Sequence, residues 1–399
     1  MKNNEQSKAV SGGISPFEMM KDRFRRDPMA IAGLFGVLIM FSIAAAAPLI
    51  ANGRPLIIFM DGSISLPALK YVFAPDSSEI LVEKIFNFCL VFIPPAIVIT
   101  LLSRYMKFSL WAFAVLFFLC LAPFVLVKGK LEKADWRAKA ESLGKGEFAI
   151  FAPVKYGPFE NVAEPFSYPS PAHLFGTDQN GRDVLSRMIY GARVSLAVGI
   201  LSILMTLVIG IIIGMIAGYF GGNWDVVIMR IVEIVICFPR FLLLLILMVI
   251  IMDRNKNYHQ SIILVICVIG LTAWTELCRI VRGEVFKHRA LAYIKSCQCL
   301  GIPVWRIMMF HLLPNVMGPV LVTFTFGVAD AVLAESSLSF LGFGVQPPTA
   351  SWGELLRESL SNPLQHWHLT LWPGIAIFIT VVSFNFIGEG LKKAFEPVE

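Results

Sequence analysis

The stretch LAYIKSCQCLGIPVWRIMMFHLLP, Leu291–Pro314, is an amphipathic connection between two long apolar runs. Its first half repeats an apolar residue at every third position, and these residues are Leu291, Ile294, Cys297 and Leu300. This spacing predicts a short helix with one apolar face. Gly301 then ends the helix, and Pro303 prevents its simple continuation.

A second apolar cluster follows, and we expect it to form a second short helix that Leu313-Pro314 ends. Its members are Trp305, Ile307, Met308 and Phe310. Basic residues accompany both halves, at Arg289, Lys295 and Arg306. An amphipathic segment of this kind between two spanning helices is expected to contact another protein in the cytoplasm.

The composition places the chain in a lipid bilayer. Its 399 residues are 56% hydrophobic and only 16% charged, whereas soluble domains carry about 25% charged residues. The net charge of +6 fits the retention of Lys and Arg at cytoplasmic helix ends, so no nucleic-acid partner is needed to explain it. Five of the seven cysteines lie in apolar runs, which indicates neither a disulfide framework nor a metal site.

Eight apolar runs approach the length of about 20 residues that a spanning helix needs. They are Met29–Ile50, Ile85–Leu102, Phe108–Val127, Val194–Gly218, Val226–Met252, Ser261–Val281, Val316–Gly342 and Leu369–Ile387. Flanking Lys and Arg orient these runs, with both chain termini and the opening stretch in the cytoplasm. An even number of spans satisfies that orientation.

The runs divide the chain into four parts. Residues 1–28 form a cytoplasmic tail, 29–50 the first transmembrane helix, and 51–172 an outer-face insertion that contains a hairpin, 85–127. Residues 173–399 form a core with five transmembrane helices and a cytoplasmic loop, 283–315.

Within the insertion, alternation around Asp61-Gly62 predicts a β-hairpin, and we expect Ala51–Lys84 and Val127–Val194 to form one small outer unit. Pro94-Pro95 leaves open whether the 85–127 hairpin spans, because prolines remove backbone donors that lipid cannot replace.

No motif of an enzyme is present: the chain lacks a nucleotide-binding P-loop, a zinc-protease signature and a nucleophile elbow. Charged residues inside apolar runs are therefore the functional candidates. They are Arg230, Glu233, Arg240, Glu276, Asp330 and Glu335. Arg230 with Glu233, and Glu276 with Arg279, have the spacing of helix ion pairs. We expect these charges to hold a polar, closely packed bundle around a pathway. They are too scattered to define a proton relay.

Leu291–Pro314 resembles the cytoplasmic loop of ABC-importer permeases, in which a Glu-Ala-Ala triplet is followed at fixed spacing by Gly and then Leu-Pro. Gly301 and Leu313-Pro314 match, whereas Lys295-Ser296-Cys297 replaces the triplet. Three further segments resemble the second permease of the dipeptide/oligopeptide branch. They are His173–Leu196, Gly218–Pro239 and Ala334–Leu356.

The resemblance implies an all-α polytopic membrane protein with the type I importer fold, a six-helix core, an extra N-terminal hairpin and a small outer-face segment. It implies a non-enzymatic permease subunit for di- or oligopeptides in the bacterial cytoplasmic (inner) membrane. Its expected partners are a homologous permease, two ATPases that carry ATP and Mg, and an extracytoplasmic substrate-binding protein. The chain itself is expected to hold no cofactor.

The resemblance also assigns two groups of site residues. Those for ATPase coupling are Leu291, Ile294, Lys295, Ser296, Cys297, Leu300, Gly301, Leu313 and Pro314. Those for access and binding-protein docking are Gly176, Thr177, Asp178, Gln179, Gly181, Arg182, Asp183, Gln346, Pro347 and Trp352. Asp183 is equally suited to capping the helix that follows it, and the two roles are compatible.

Two alternatives stay open. An importer of the same type for nickel, a sugar or a peptide-like antibiotic would show the same motifs. A secondary transporter or channel without an ATPase would need a coupling-ion site and repeat symmetry, and the sequence shows neither.

Overall fold

The computed structural model describes residues 16–60, 62–73, 80–102, 110–126, 136–144, 146–254 and 261–395, and these are predominantly helical. The first helices are α1 (Pro16–Arg26), α2 (Pro28–Ala45), α3 (Ala47–Ile50), α4 (Pro67–Phe73), α5 (Ile80–Leu102), α6 (Leu110–Leu126) and α7 (Trp136–Glu141). The later helices are α8 (Val184–Phe220), α9 (Gly222–Ile236), α10 (Arg240–Arg254), α11 (Ser261–Arg289), α12 (Ala292–Cys299), α13 (Val304–Arg306), α14 (Leu313–Phe340), α15 (Trp352–Glu358) and α16 (Trp367–Phe395). The strands are β1 (Ile57–Met60), β2 (Ser63–Ser65) and β3 (Phe148–Ile150).

The described residues of the eight predicted apolar runs are mainly helical, but not every run forms a straight span. Among the described residues, six helices are long and apolar enough to cross a membrane, or seven if the bent pair α9 and α10 counts as one span. The pair bends by 83° at Cys237-Phe238-Pro239, because proline cannot continue the helix. The described part of the third run, Phe108–Val127, forms α6, whose apolar helix Phe113–Phe124 is shorter than a span. Unlike Pro239, which lies at the break between α9 and α10, Pro94-Pro95 does not interrupt its helix, α5.

The centre of the bundle is α8, which packs along α11 and also contacts α14. Three glycines of α8, Gly210, Gly214 and Gly218, repeat at every fourth residue, and a Cβ on any of them would fall within 3 Å of α11 atoms. Small residues at this spacing allow two membrane helices to approach closely. α16 packs between α2 and α14. Arg193 of α8 donates to the carbonyls of Ala44 and Ala45 at the end of α2.

The described residues form three apolar cores, and the two larger ones position the site. The larger contains residues from α8, α10, α11, α14 and α16, together with Trp352 of α15. The smaller surrounds the Leu291–Pro314 segment and contains Ile294, Ile307 and Leu312 with side chains of α8, α11 and α14. We call the end of the bundle that carries Leu291–Pro314 the inner end, and the end that carries His173–Asp183 the outer end.

A three-stranded antiparallel sheet in the order β2-β1-β3 joins the two outer segments. β1 and β2 form the predicted hairpin, with Met60 opposite Ser63; Asp61 of the predicted turn lies outside the described residues. β3 comes from the second segment and pairs with β1, with Phe148 opposite Phe59. The two segments therefore contribute strands to one sheet.

The prediction that Leu313-Pro314 ends a short helix is wrong. The chain runs helically from Val304 to Phe340, with a π-helical turn at Ile307–Leu312 between α13 and α14. In this turn the Leu313 N–H donates to the carbonyl of Met308, five residues earlier. The wider turn changes which carbonyl each N–H reaches just before Pro314, and the helix continues past this residue although Pro314 has no N–H to donate.

Candidate functional site

At the inner end, the middle of α12 is anchored in the bundle. Ile294 is fully buried and Cys297 is half-buried against the smaller core. Leu291 and Leu300, at the two ends of the predicted apolar face, are exposed instead. Gly301 ends α12 in the left-handed region, at φ 71°, as the sequence predicts.

The opposite side of the same segment is apolar and open. Leu300, Trp305 and Phe310 are 79%, 61% and 64% exposed, and the two rings make an edge-to-face contact at 6.2 Å. Lys295 and Ser296, which replace the family triplet, are also exposed, whereas Leu313 is half-buried and Pro314 is exposed. Exposed apolar patches bordered by polar residues mark interaction sites.

At the outer end, His173–Asp183 folds into the entrance of α8. The Asp183 carboxylate accepts the Ser186 N–H at 2.8 Å, which caps α8, and it pairs with His173 at 2.9 Å. Most of the predicted docking residues here are buried, and they are Gly176, Thr177, Asp178, Gly181, Arg182 and Asp183. Gln179 is exposed.

Behind this segment lies a buried network of two guanidinium groups and three carboxylates. Arg182 Nε donates to Asp178 at 2.6 Å, and Arg187 Nη2 donates to Glu354 at 2.5 Å. Glu358 lies 3.2 Å from Arg182 and 3.4 Å from Arg187. We call these five residues the outer charge network. The sequence analysis missed Arg187, Glu354 and Glu358, although two acids at i and i+4 on a short helix face the same side.

The outer charge network carries one more acid than base. Burial and the neighbouring Glu354 carboxylate together raise the pKa of Glu358 to about 8. A carboxyl group that keeps its proton near neutral pH removes the excess negative charge. The network is thereby balanced.

Hydrogen bonds to backbone carbonyls also hold the loop before α15 and the start of α15 in place. Trp352 is buried, and its Nε1 donates to the carbonyl of Met188 at 3.2 Å. Gln346 donates to the carbonyls of Gly342 and Gly344 and is half-buried, while Pro347 is exposed. Of the predicted docking residues, Gln179 and Pro347 therefore offer the most exposed side chains.

The charges in the middle of the bundle occupy different environments. Arg230 and Glu233 form the predicted pair at 2.8 Å on the exposed face of α9. Glu335 is fully buried and accepts hydroxyl hydrogen bonds from Ser339 at 2.7 Å and Ser195 at 3.1 Å, on α14 and α8.

Glu276 and Arg279 do not pair as their spacing predicts: among the described residues, neither makes an ion pair. Both side chains instead line two cavities between α9, α10 and α11. The larger has a volume of about 980 Å³ and the smaller about 280 Å³. The two cavities share Ile236, Glu276 and Arg279, so they adjoin.

Comparison with known proteins agrees with this architecture. Residues 210–398 match the family model of the binding-protein-dependent transport system inner membrane component. Residues 15–61 match the N-terminal TM domain of oligopeptide transport permease C. The multi-pass fold and both matches describe a membrane permease component.

Two curated relatives indicate the branch of the family to which the chain is similar. The chain is 38% identical to the dipeptide transport system permease protein DppC of Bacillus subtilis over 257 residues, which cover 62% of this chain and 78% of the relative. It is 37% identical to the glutathione transport system permease protein GsiD of Pectobacterium atrosepticum over 229 residues, which cover 57% and 74%. The chain belongs to the dipeptide/oligopeptide-type family of ABC-importer permeases.

Proposed function

We propose that the chain is a pathway-forming permease subunit of an ATP-driven importer of di- or oligopeptides in the bacterial cytoplasmic membrane, with both termini in the cytoplasm. Its partners are a homologous permease, two ATPases that bind ATP and Mg, and an extracytoplasmic binding protein. The names of the two relatives, a dipeptide and a glutathione permease, support this solute class.

The observation that carries the proposal is the two-sided Leu291–Pro314 segment. Ile294 and Ile307 anchor it in the smaller core, while Leu300 and Trp305 remain open to a partner. A rigid-body movement of an ATPase against the open side would be transmitted through the anchors to α11 and α14, which share that core.

The outer end suits a different contact. The outer charge network and the Trp352 hydrogen bond hold His173–Asp183 and the loop before α15 in one arrangement. Gln179 and Pro347 then present a fixed surface on which a loaded binding protein would dock.

The test is a double variant, Trp305→Ala with Phe310→Ala, in the assembled transporter reconstituted into liposomes. Hot-spot aromatic residues at interfaces contribute about 2 kcal/mol or more, so we expect ATPase subunits to be lost on purification. ATP-driven uptake of a dipeptide should fall at least tenfold.

The matched control is Trp111→Ala, which removes a tryptophan from α6 that is 78% exposed, more than Trp305 at 61%. It should leave ATPase retention and uptake unchanged. Since the replaced side chains in the double variant are exposed, its melting temperature should also match the wild type. Normal ATPase retention and uptake in the double variant would contradict the proposal.

A further inference from the structure

The Leu291–Pro314 segment carries positive charge and no negative charge. Between Glu284 and Asp330 the chain has four Lys and Arg residues and no Asp or Glu. Two of the four, Lys295 and Arg306, lie within the segment itself. Clustered charge of one sign produces a potential that attracts groups of the opposite sign. The segment therefore favours an acidic partner.

Lys295 and Arg306 have no acidic partner in the described part of the chain. Among the described residues, neither side chain makes an ion pair or a hydrogen bond. On the neighbouring helix α11, by contrast, Arg282 Nη2 donates to the Asp225 carboxylate at 2.6 Å. Both side chains of the segment are exposed, so their charges are accessible to a second protein.

An exposed apolar side chain accompanies each of these two charges. Lys295 follows Leu291 by four residues at α12, and Arg306 precedes Phe310 by four residues on the helix that runs through the π-helical turn. Side chains three or four residues apart on a helix are neighbours on its surface. Leu291 is 45% exposed and Phe310 is 64% exposed. Positive and apolar groups therefore border each other on the open side of the segment.

This arrangement determines what the surface of a partner must provide. Protein interfaces have an apolar centre and a polar, partly solvated rim. An apolar groove would cover Leu300 and Trp305, while Lys295 and Arg306 would lie at its rim. Acidic side chains at that rim would steer the partner to this surface, whereas basic ones would repel it.

We propose that the ATPase subunit docks here with a groove whose apolar floor covers Leu300, Trp305 and Phe310 and whose acidic rim pairs with Lys295 and Arg306. The inference rests on the proposed function and adds the electrostatic character of the partner that this chain selects. An ATPase with a basic rim would bind this permease weakly. The contact is sensitive to salt, because dissolved ions screen exposed charge pairs.

The experiment measures the dissociation constant between the ATPase subunits and the purified pair of permeases, in detergent without phospholipid. Two salt concentrations are compared, about 0.05 M and about 0.5 M, between which the Debye length falls from roughly 14 Å to roughly 4 Å. For the wild type, we expect the dissociation constant to rise about tenfold at the higher concentration.

The double variant Lys295→Gln with Arg306→Gln removes both charges from this surface. At low salt its dissociation constant should be about tenfold above that of the wild type. At high salt the two should agree, because screening has already removed the attraction in the wild type. Lys295→Arg with Arg306→Lys keeps both charges and should retain the wild-type salt dependence. Since both side chains are exposed, the melting temperatures should be unchanged.

The matched control is Lys21→Gln with Lys392→Gln, which removes two exposed positive charges from α1 and α16, outside the segment. It should retain the wild-type dissociation constant at both salt concentrations. The same loss of affinity in this control would overturn the acidic rim, because the effect would then follow total charge. A salt dependence that appears only in vesicles containing phosphatidylglycerol would also overturn it and would assign the two bases to the membrane surface.

The result is separable from the test of the proposed function. If the Trp305→Ala, Phe310→Ala variant loses its ATPase subunits while the Lys295→Gln, Arg306→Gln variant binds as the wild type does, the acidic rim is overturned and the proposed function stands. A wild-type permease pair that binds no ATPase subunit at either salt concentration would contradict both.

Discussion

The two ends of the bundle bury opposite kinds of side chain. At the outer end, the five residues of the outer charge network are buried. At the inner end, Leu300, Trp305 and Phe310 are exposed. A buried network of ion pairs holds the surrounding backbone in place but is not itself a contact surface. Covering an exposed apolar side chain, by contrast, is favourable because it removes apolar surface from water. The outer end is thus held in one arrangement by buried charges, whereas the inner end carries an open apolar surface.

The largest effect on stability is expected when an arginine is removed, once from the buried outer charge network and once from an exposed ion pair. Arg187→Ala leaves buried carboxylates without their cation, and we expect a loss of about 3–5 kcal/mol of stability. Arg230→Ala removes an exposed partner of Glu233 and should cost at most about 1 kcal/mol. Thermal unfolding of the purified complex in detergent checks both. Equal shifts in melting temperature would show that the outer charge network does not fix the outer end.

A second test compares two residues of the same short segment. Ile294→Ala removes a fully buried side chain from the smaller core and should cost about 2–4 kcal/mol. Leu300→Ala removes an exposed one, so the stability of the permease should change by less than about 0.5 kcal/mol. Thermal unfolding of the chain without ATPase subunits measures both. A large loss in Leu300→Ala would mean that this side chain belongs to the core of the permease.

A third test uses pH. The pKa of Glu358 is raised to about 8 in the folded protein, whereas an unfolded Glu has a pKa near 4.3. Between these values the folded state holds a proton that the unfolded state releases, so stability falls as pH rises. We expect a loss of about 1–2 kcal/mol between pH 6 and pH 8.

Glu358→Gln should flatten that pH profile, because the amide cannot ionise. Glu141→Gln, at an exposed acid of α7, is the matched control and should retain the wild-type slope. A Glu358→Gln protein that still loses stability over this range would place the titrating group elsewhere.

The sequence alone predicts what depends on local pattern. Apolar runs of sufficient length predict the helices, Gly301 predicts the end of α12, and Asp183 predicts the cap of α8, because each depends on neighbouring residues only. The outer charge network was missed because Arg187 and Glu354 are 167 residues apart. The π-helical turn at Ile307–Leu312 was missed because Leu313-Pro314 has the local pattern of a helix end.

That turn has a mechanical consequence. Helix Val304–Phe340 is 37 residues long, or roughly 55 Å at 1.5 Å per residue, and it continues from Trp305 at the inner end to Glu335 among its serine hydroxyls. A rotation of the helix at Trp305 is therefore transmitted to Glu335 through one continuous helix, with no loop between them. The π-helical turn sets the rotational phase between the two halves, since one residue corresponds to about 100° of rotation. Deleting a single residue within Ile307–Leu312 would turn the Trp305 surface by that angle relative to the outer half.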